Sequence, residues 1–298
     1  MRLLQLRTVV VAHDLTATSD AALETAQMLG ANAGASLHLA YVAPPTTGMM
    51  AKGGRRSEFV EEIAAAADRA KVRTSYTPHV LEGAPAEAIA SLADRISADV
   101  IITGRRMPRN GVPMDRPVGG TAYAIITRSR VPCLVVTAPL TLPLHRIVVA
   151  IDCSEASRGA LLAGLSWSSA LRGREDGGAP ILTALHVHDH DDGSADRAGR
   201  KRTVDHELDL LRRNAGDWAG VVVSGITRPG DDPVQAISDL ASELHVDLVV
   251  LGTRGIGTAA DGTLGSVSAA VLGRVRAPVL LVPPAVWRNF AKEIEYLV

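Results

Sequence analysis

Aromatic side chains are scarce in this chain: two Phe, four Tyr and three Trp in 298 residues. Its core must therefore be built from the Leu, Ile, Val and Ala of a 47% hydrophobic composition. Cysteine is equally rare. Cys133 and Cys153 cannot make a disulfide framework, which favours a reducing compartment. No sign of charge dominates either, since 31 basic and 32 acidic residues leave a formal charge of −1. General nucleic-acid binding needs a basic face, so no nucleic-acid partner is expected. No apolar run reaches the roughly 18 residues of a membrane helix. The opening MRLLQLRTVVVAHD passes straight into a strand without a signal-peptide cleavage site. A cytoplasmic protein with no membrane partner is the expectation. Two nucleotide-loop motifs are missing as well: the Gly-Lys-Ser/Thr of a P-loop, and Gly-x-Gly-x-x-Gly after a first strand.

What the chain does have, it has twice. RTVVVAHDLTATSDAALETA at Arg7 returns as HRIVVAIDCSEASRGALLAG at His145. ISADVIITGRR at Ile96 returns as LHVDLVVLGTR at Leu244, and RVPCLVVTAP at Arg130 as RAPVLLVPPA at Arg276. The pairs Asp14/Asp152, Gly104/Gly252 and Pro132/Pro278 are offset by 138, 148 and 146 residues. Collinear matches with so little drift mean two duplicated domains with loop insertions. Two prolines between Thr137 and Arg146, Pro139 and Pro143, mark the join, giving domains over 1–140 and 141–298.

Each half alternates strand and helix. In the second, RIVVAI, ILTALHV, VVVSGI, VDLVVLG and PVLLVP read as strands. Helices are predicted from Ser154, a candidate N-cap, over 196–220, and after Asp232 with Pro233 near the start. Strands so uniformly apolar are buried on both faces, which predicts a five-stranded parallel sheet flanked by helices in each half. Ligands of such sheets bind beyond the carboxyl ends of strands, where strand order reverses. Ala150, Ile151 and Asp152 end the first strand of the second half, and Leu251 and Gly252 end the fourth. After the fourth strand comes GTRGIGTAADGTLGSVS, with five glycines between Gly252 and Gly265. Glycine lets a backbone approach a phosphate closely, and a helix start offers free N–H groups and the positive end of a dipole.

The spacing Gly252-x2-Gly255-x9-Gly265-Ser266, with IVVAIDCSEAS, VDLVVLG and RAPVLLV in order around it, resembles the ATP-binding universal stress proteins. The resemblance covers nearly the whole chain as a tandem pair. It implies two similar Rossmann-like domains of the adenine nucleotide alpha hydrolase-like kind, binding ATP, with Mg²⁺ a candidate companion of its phosphates. It implies that Asp152 accepts hydrogen bonds from the ribose, and that Ala150, Ile151 and Val187 line the adenine slot. Gly252 and Gly255 would let the backbone pass near ribose and phosphate, while Gly265, Ser266, Val267 and Ser268 wrap the phosphates. Arg254 is a candidate for the terminal phosphate. The family's pairing of apolar edge strands, here CLVVT and VLLVP, implies a homodimer.

The first half departs from this pattern. Asp14, Val42 and Gly104 match Asp152, Val187 and Gly252, but His13 replaces Ile151 and Met107 replaces Gly255. Gly119 and Gly120 match Gly265 and Ser266, and Thr121 restores a hydroxyl one position later. Pro108, Pro113 and Pro117 remove donors that a phosphate cradle would use, while Arg105, Arg106, Arg109 and Arg116 offer side chains instead. Whether this half holds nucleotide stays open.

Other constellations count for less. HVHDHDD, His186 to Asp192, offers metal-ligand chemistry but reads as a polar strand end with an acidic loop, and no resident metal site is expected. Cys153, Ser154 and Cys133 lack a base and an orienter, so no catalytic residue is assigned. Cys153 follows Asp152, where oxidation would modulate binding, although a small strand-end residue is the plainer role. Without a Walker lysine or evident general base, fast phosphoryl transfer lacks its parts, and at most a weak ATPase is expected. A nucleotide-dependent regulator of the stress response is the leading reading. A slow ATP-hydrolysing or adenylyl-transferring enzyme, and a stress protein working by protein contacts alone, are the rivals.

Overall fold

The computed structural model describes residues 5–44, 54–105, 119–173, 178–188, 204–211, 213, 220–255 and 263–295. The chain divides into two compact units, one comprising Leu6–Leu140 and the other containing Thr141–Val298. The first runs β1 (Thr8–Ala12), α1 (Asp20–Ala33), β2 (Ser36–Val42), α2 (Gly54–Arg69), β3 (Tyr76–Leu81), α3 (Pro85–Arg95), β4 (Val100–Gly104), α4 (Gly120–Arg128) and β5 (Cys133–Val136). The second repeats the scheme with β6 (Arg146–Ala150), α5 (Glu155–Ala170), β7 (Ile181–His188), α6 (204–211) and β8 (Val222–Pro229). It continues with α7 (Pro233–Glu243), β9 (Leu248–Gly252), α8 (Ser266–Arg274), β10 (Val279–Val282) and α9 (Pro284–Glu295).

Both sheets are parallel. The first has the order β3-β2-β1-β4-β5. The second has β8-β7-β6-β9-β10. The five-stranded parallel sheet expected for each half is what forms. Val9, Val10 and Val11 of β1 and Ile147, Val148 and Val149 of β6 have no exposed surface, as strands covered on both faces must. At the amino-terminal end of each sheet one carboxylate ties two strands together. Asp99 Oδ2 accepts the N–H groups of Arg7 and Thr8, at 2.7 and 2.8 Å. Asp247 Oδ2 does the same for His145 and Arg146, at 2.7 and 2.9 Å.

Helix ends follow local chemistry. Ser154 caps α5, its hydroxyl accepting the Ser157 N–H at 3.2 Å. Asp232 caps α7 by accepting from the Gln235 N–H at 3.0 Å, with Pro233 in the first turn. Within the helix expected over 196–220, the described stretch 204–211 is helical, and most of the remainder lies outside the described residues. α9 was not foreseen. It packs on α5, where Gly159 leaves room for the Trp287 backbone, 3.4 Å from where a Cβ would stand.

α3 and α7 each end in a left-handed residue other than glycine: Ser97 at φ +52° and His245 at φ +49°. The Ala98 N–H closes on the Ala93 carbonyl at 2.8 Å, and the Val246 N–H on Ala241 at 3.1 Å, the helix termination for which glycine is the usual choice. Both side chains are exposed. Ser97→Gly and His245→Gly are each expected to stabilise their unit by about 1 kcal/mol, read as a raised midpoint in urea.

Candidate functional site

β1 pairs with both β2 and β4, and β6 with both β7 and β9, so strand order reverses beside β1 and β6. At that point in the second unit lies a cleft of about 230 Å³. Ala150, Ile151 and Asp152 form one side, leaving β6, and Leu251, Gly252, Arg254 and Gly255 form the other, leaving β9. Gly265, Ser266, Val267 and Ser268 open α8 at its rim, and Val187 joins from β7. All twelve second-half residues expected at the site thus meet in one cleft. Leu185, Ser157, Pro233 and Ile237 line it too and were not singled out as site residues. Pro233 and Ile237 bring a wall from the start of α7, which becomes foreseeable only when strand order is known.

Local bonds fix the cleft's shape. The Ile151 N–H continues the ladder to the Leu185 carbonyl at 2.8 Å, and His186 Nδ1 donates to the Ile151 carbonyl at 2.9 Å. Asp152 Oδ1 accepts the Ser154 N–H at 3.1 Å across Cys153, which sits at φ +64°. The glycines divide by role. At Gly252 a Cβ would lie 2.8 Å from the Ala156 Cβ and 2.9 Å from its carbonyl carbon, so α5 demands this glycine. At Gly255 a Cβ would lie 2.5 Å from Asp152 Oδ2. Gly265 has φ −58°, and a Cβ there would meet nothing closer than the Thr253 oxygen at 3.4 Å. Among the described residues, neither backbone nor packing excludes a Cβ at 265.

α8 starts with Gly265 in the cap position and no side-chain cap among the described residues, and its first turn lines the cleft's rim. Ser266 is exposed there. Ser268 is buried, and its hydroxyl donates to the Gly252 carbonyl at 2.6 Å, joining α8 to the end of β9. Arg254 is half-buried, and its carbonyl accepts from the Ser154 hydroxyl at 3.4 Å.

The first unit has a cleft of the same size, about 230 Å³, at the matching place. Asp14, Val42, Gly104, Gly119, Gly120 and Thr121 all line it, with His13, Pro85 and Ile89. Asp14 Oδ1 accepts from the Thr16 N–H at 3.1 Å, the Thr16 hydroxyl at 2.6 Å and the Ser19 hydroxyl at 2.7 Å. Gly104 answers to a helix as Gly252 does, a Cβ there standing 3.2 Å from the Ser19 Cα. Ala122 replaces Ser268 and has no hydroxyl to join α4 to β4. Met107, the three loop prolines and Arg106, Arg109 and Arg116 lie outside the described residues.

Cys133 is buried, and burial pushes its thiol up to about 12. Burial also raises the Cys153 thiol, helped by the nearby Glu207 and Asp152 carboxylates, so its thiolate is disfavoured. Among the described residues no group of three His, Cys, Asp or Glu side chains could hold a metal ion. Of HVHDHDD, residues 189–192 lie outside that set. No helix of the described residues is long and apolar enough to cross a membrane.

Two parallel α/β units, each with a cleft at its strand-order reversal, define a tandem Rossmann-like protein. The chain belongs to the universal stress protein family, whose model matches residues 5–137 and again 143–283. Universal stress protein Sll1388 of Synechocystis is 28% identical over 153 residues, spanning 46% of this chain and 96% of that protein. Universal stress protein Sll1654 of the same organism is 39% identical over 64 residues, 22% of this chain and 40% of its own. Among solved structures, a universal stress protein from Archaeoglobus fulgidus superposes with a TM-score of 0.66 at 19% identity, over 94% of this chain and 97% of that one. The functionally unknown protein PA1789 from Pseudomonas aeruginosa gives 0.63 at 14% identity, over 98% of each chain. These two show the fold.

Proposed function

We propose that the second unit binds ATP in its cleft and that occupancy sets a conformation or partner interaction in a stress response. One observation carries the reading. Gly265 stands where a helix-capping side chain would be, although among the described residues neither backbone nor packing excludes a Cβ there and none caps α8, whose start lines the cleft with Asp152. Free N–H groups at a helix start favour phosphate, and a carboxylate on the far wall suits ribose hydroxyls. The adenine would lie against Ala150, Ile151, Val187 and Leu185, with Pro233 and Ile237 opposite. Mg²⁺ would enter with the phosphates, because among the described residues lining this cleft Asp152 is the one carboxylate. Ser268 contributes by fixing the first turn of α8 to β9, and Ser266 is the hydroxyl left for phosphate. The same reading expects a homodimer of cytoplasmic location, with hydrolysis absent or slow.

Denaturing the purified protein by heat and identifying the small molecules released tests the proposal. An adenine nucleotide is the expected finding, or else tight uptake of added ATP. A preparation that releases none and binds none contradicts it.

A further inference from the structure

Three positions beside the two clefts are exchanged together. In the first unit the buried His13 uses both ring nitrogens. Nδ1 accepts the Leu15 N–H at 2.9 Å, which leaves the proton on Nε2 to donate to Asp20 Oδ1 at 3.2 Å. Asp20, on α1, is also held by Arg69 of α2, with Nε to Oδ2 at 2.6 Å and Nη2 to Oδ1 at 2.7 Å. Arg69 Nη2 reaches on to the Leu15 carbonyl at 3.3 Å. In the second unit Ile151 stands in the place of His13 and Arg158 in the place of Asp20. There the acid comes from α6, Glu207 accepting from Arg158 Nε at 2.7 Å and Nη2 at 2.8 Å. The ion pair is kept and its polarity reversed, and a histidine at 151 would meet a guanidinium instead of a carboxylate.

The exchange bears on Asp14. Leu15 is held at φ +63°, as Cys153 is at φ +64° at the matching position of the second unit. In both turns the preceding aspartate accepts the N–H two residues on from itself, at 3.1 Å. The first unit adds two restraints of its own, His13 Nδ1 on the Leu15 N–H and Arg69 on the Leu15 carbonyl. Asp14 lies between His13 and Leu15, and both His13 and Asp14 line the cleft. We propose that His13 is a positioning residue for the Asp14 loop, and that its protonation disables ligand binding in the first unit while leaving the cleft of the second intact. The proposal rests on the reading that these clefts hold nucleotide.

A protonated imidazole carries N–H on both nitrogens. Two donors, His13 Nδ1 and the Leu15 N–H, would then face each other, which removes one hold on the turn and sets donor against donor. The groups around His13 are Asp14 in its own loop, Asp20 from α1, Arg69 from α2 and Tyr41 from β2. Burial is the largest influence and holds the imidazole below its ordinary range, the two carboxylates opposing and Arg69 assisting. The folded unit thus binds this proton more weakly than the unfolded chain. The corresponding stability is complete above about pH 6.5 and declines as the pH falls below it. Ile151 has no proton to gain. His186 touches the Ile151 carbonyl as a donor from Nδ1, a role the imidazolium keeps.

The test is a ¹⁵N NMR titration of the full chain between about pH 7.5 and about pH 5, with ATP titrations alongside. The Leu15 amide is expected to shift with a single midpoint below about 6.5, while the Cys153 amide stays still. His13→Asn keeps an acceptor near the Nδ1 position without titrating, and should flatten the Leu15 curve. ATP affinity of the first unit, isolated by Gly265→Val with Ser266→Ala, should fall about tenfold more than that of the second unit from about pH 7.5 to about pH 5.5. In His13→Asn that extra fall should vanish. A Leu15 amide that does not titrate in the unsubstituted chain overturns the proposal, as does one that titrates without a change in affinity. A second unit that binds ATP beside a first unit that never does overturns the gating alone. Failure of both units at every pH removes the nucleotide reading itself.

Discussion

Arg158→Met is expected to destabilise the second unit by about 3 kcal/mol, seen as a lowered midpoint in urea. Glu207 is only 3% exposed, and both of its oxygens are satisfied by the Arg158 guanidinium. Removing the cation strands a buried carboxylate, while methionine preserves most of the apolar contact that Arg158 makes over the Trp287 ring, 5.9 Å from guanidinium carbon to centroid. Adding Glu207→Leu should recover most of the loss, because a buried pair replaced by apolar groups of similar size is often neutral. Arg228 and Glu243 lie at 2.6 Å, closer than the buried pair, yet both are at the surface. Arg228→Met should therefore change little, which separates burial from distance as the cause.

The second large effect is on binding. Gly255→Ala is expected to weaken ATP binding by about 100-fold, roughly 2.7 kcal/mol. The new methyl would stand 2.5 Å from Asp152 Oδ2, so the carboxylate must leave the position from which it faces the cleft. Gly255 is half-exposed, and among the described residues a Cβ there meets only the Asp152 carboxylate within 4 Å, so the unfolding midpoint should barely move. Gly252→Ala should do the reverse. Its methyl would collide with the backbone of Ala156, an overpacking fault of about 1–3 kcal/mol in stability. Calorimetric titration and urea unfolding of the two variants side by side distinguish a ligand glycine from a packing glycine.

Much of this was legible in the sequence because it is written in local signals. The doubled VVVA and IVVA strands, the drift of the Asp14/Asp152 and Gly104/Gly252 offsets, and the glycine spacing after β9 each need only neighbouring residues to be read. They located both clefts, since the strand-end rule depends on connectivity rather than on contacts. Strand order was not legible, because parallel pairing leaves no periodic mark on a strand buried on both faces. With the order hidden, so were the walls that Pro233, Ile237, Pro85 and Ile89 contribute. Ser268 was expected at phosphate, yet its hydroxyl donates to the Gly252 carbonyl, a bond between residues 16 apart that no motif encodes. The reversed ion pairs were equally hidden. Each spans 49 residues, and opposite charges at matching positions look like divergence until the partners are seen together.

The most direct test of the central claim is a calorimetric titration of ATP into the full chain and into Gly265→Val with Ser266→Ala. Among the described residues a Cβ at Gly265 meets only ordinary contacts and its φ of −58° suits any residue, so the variant is expected to fold, checked by its unfolding midpoint in urea. The account predicts tight binding by the parent, with the second-unit component abolished in the variant. Undiminished binding in the variant, or none in the parent, would contradict it.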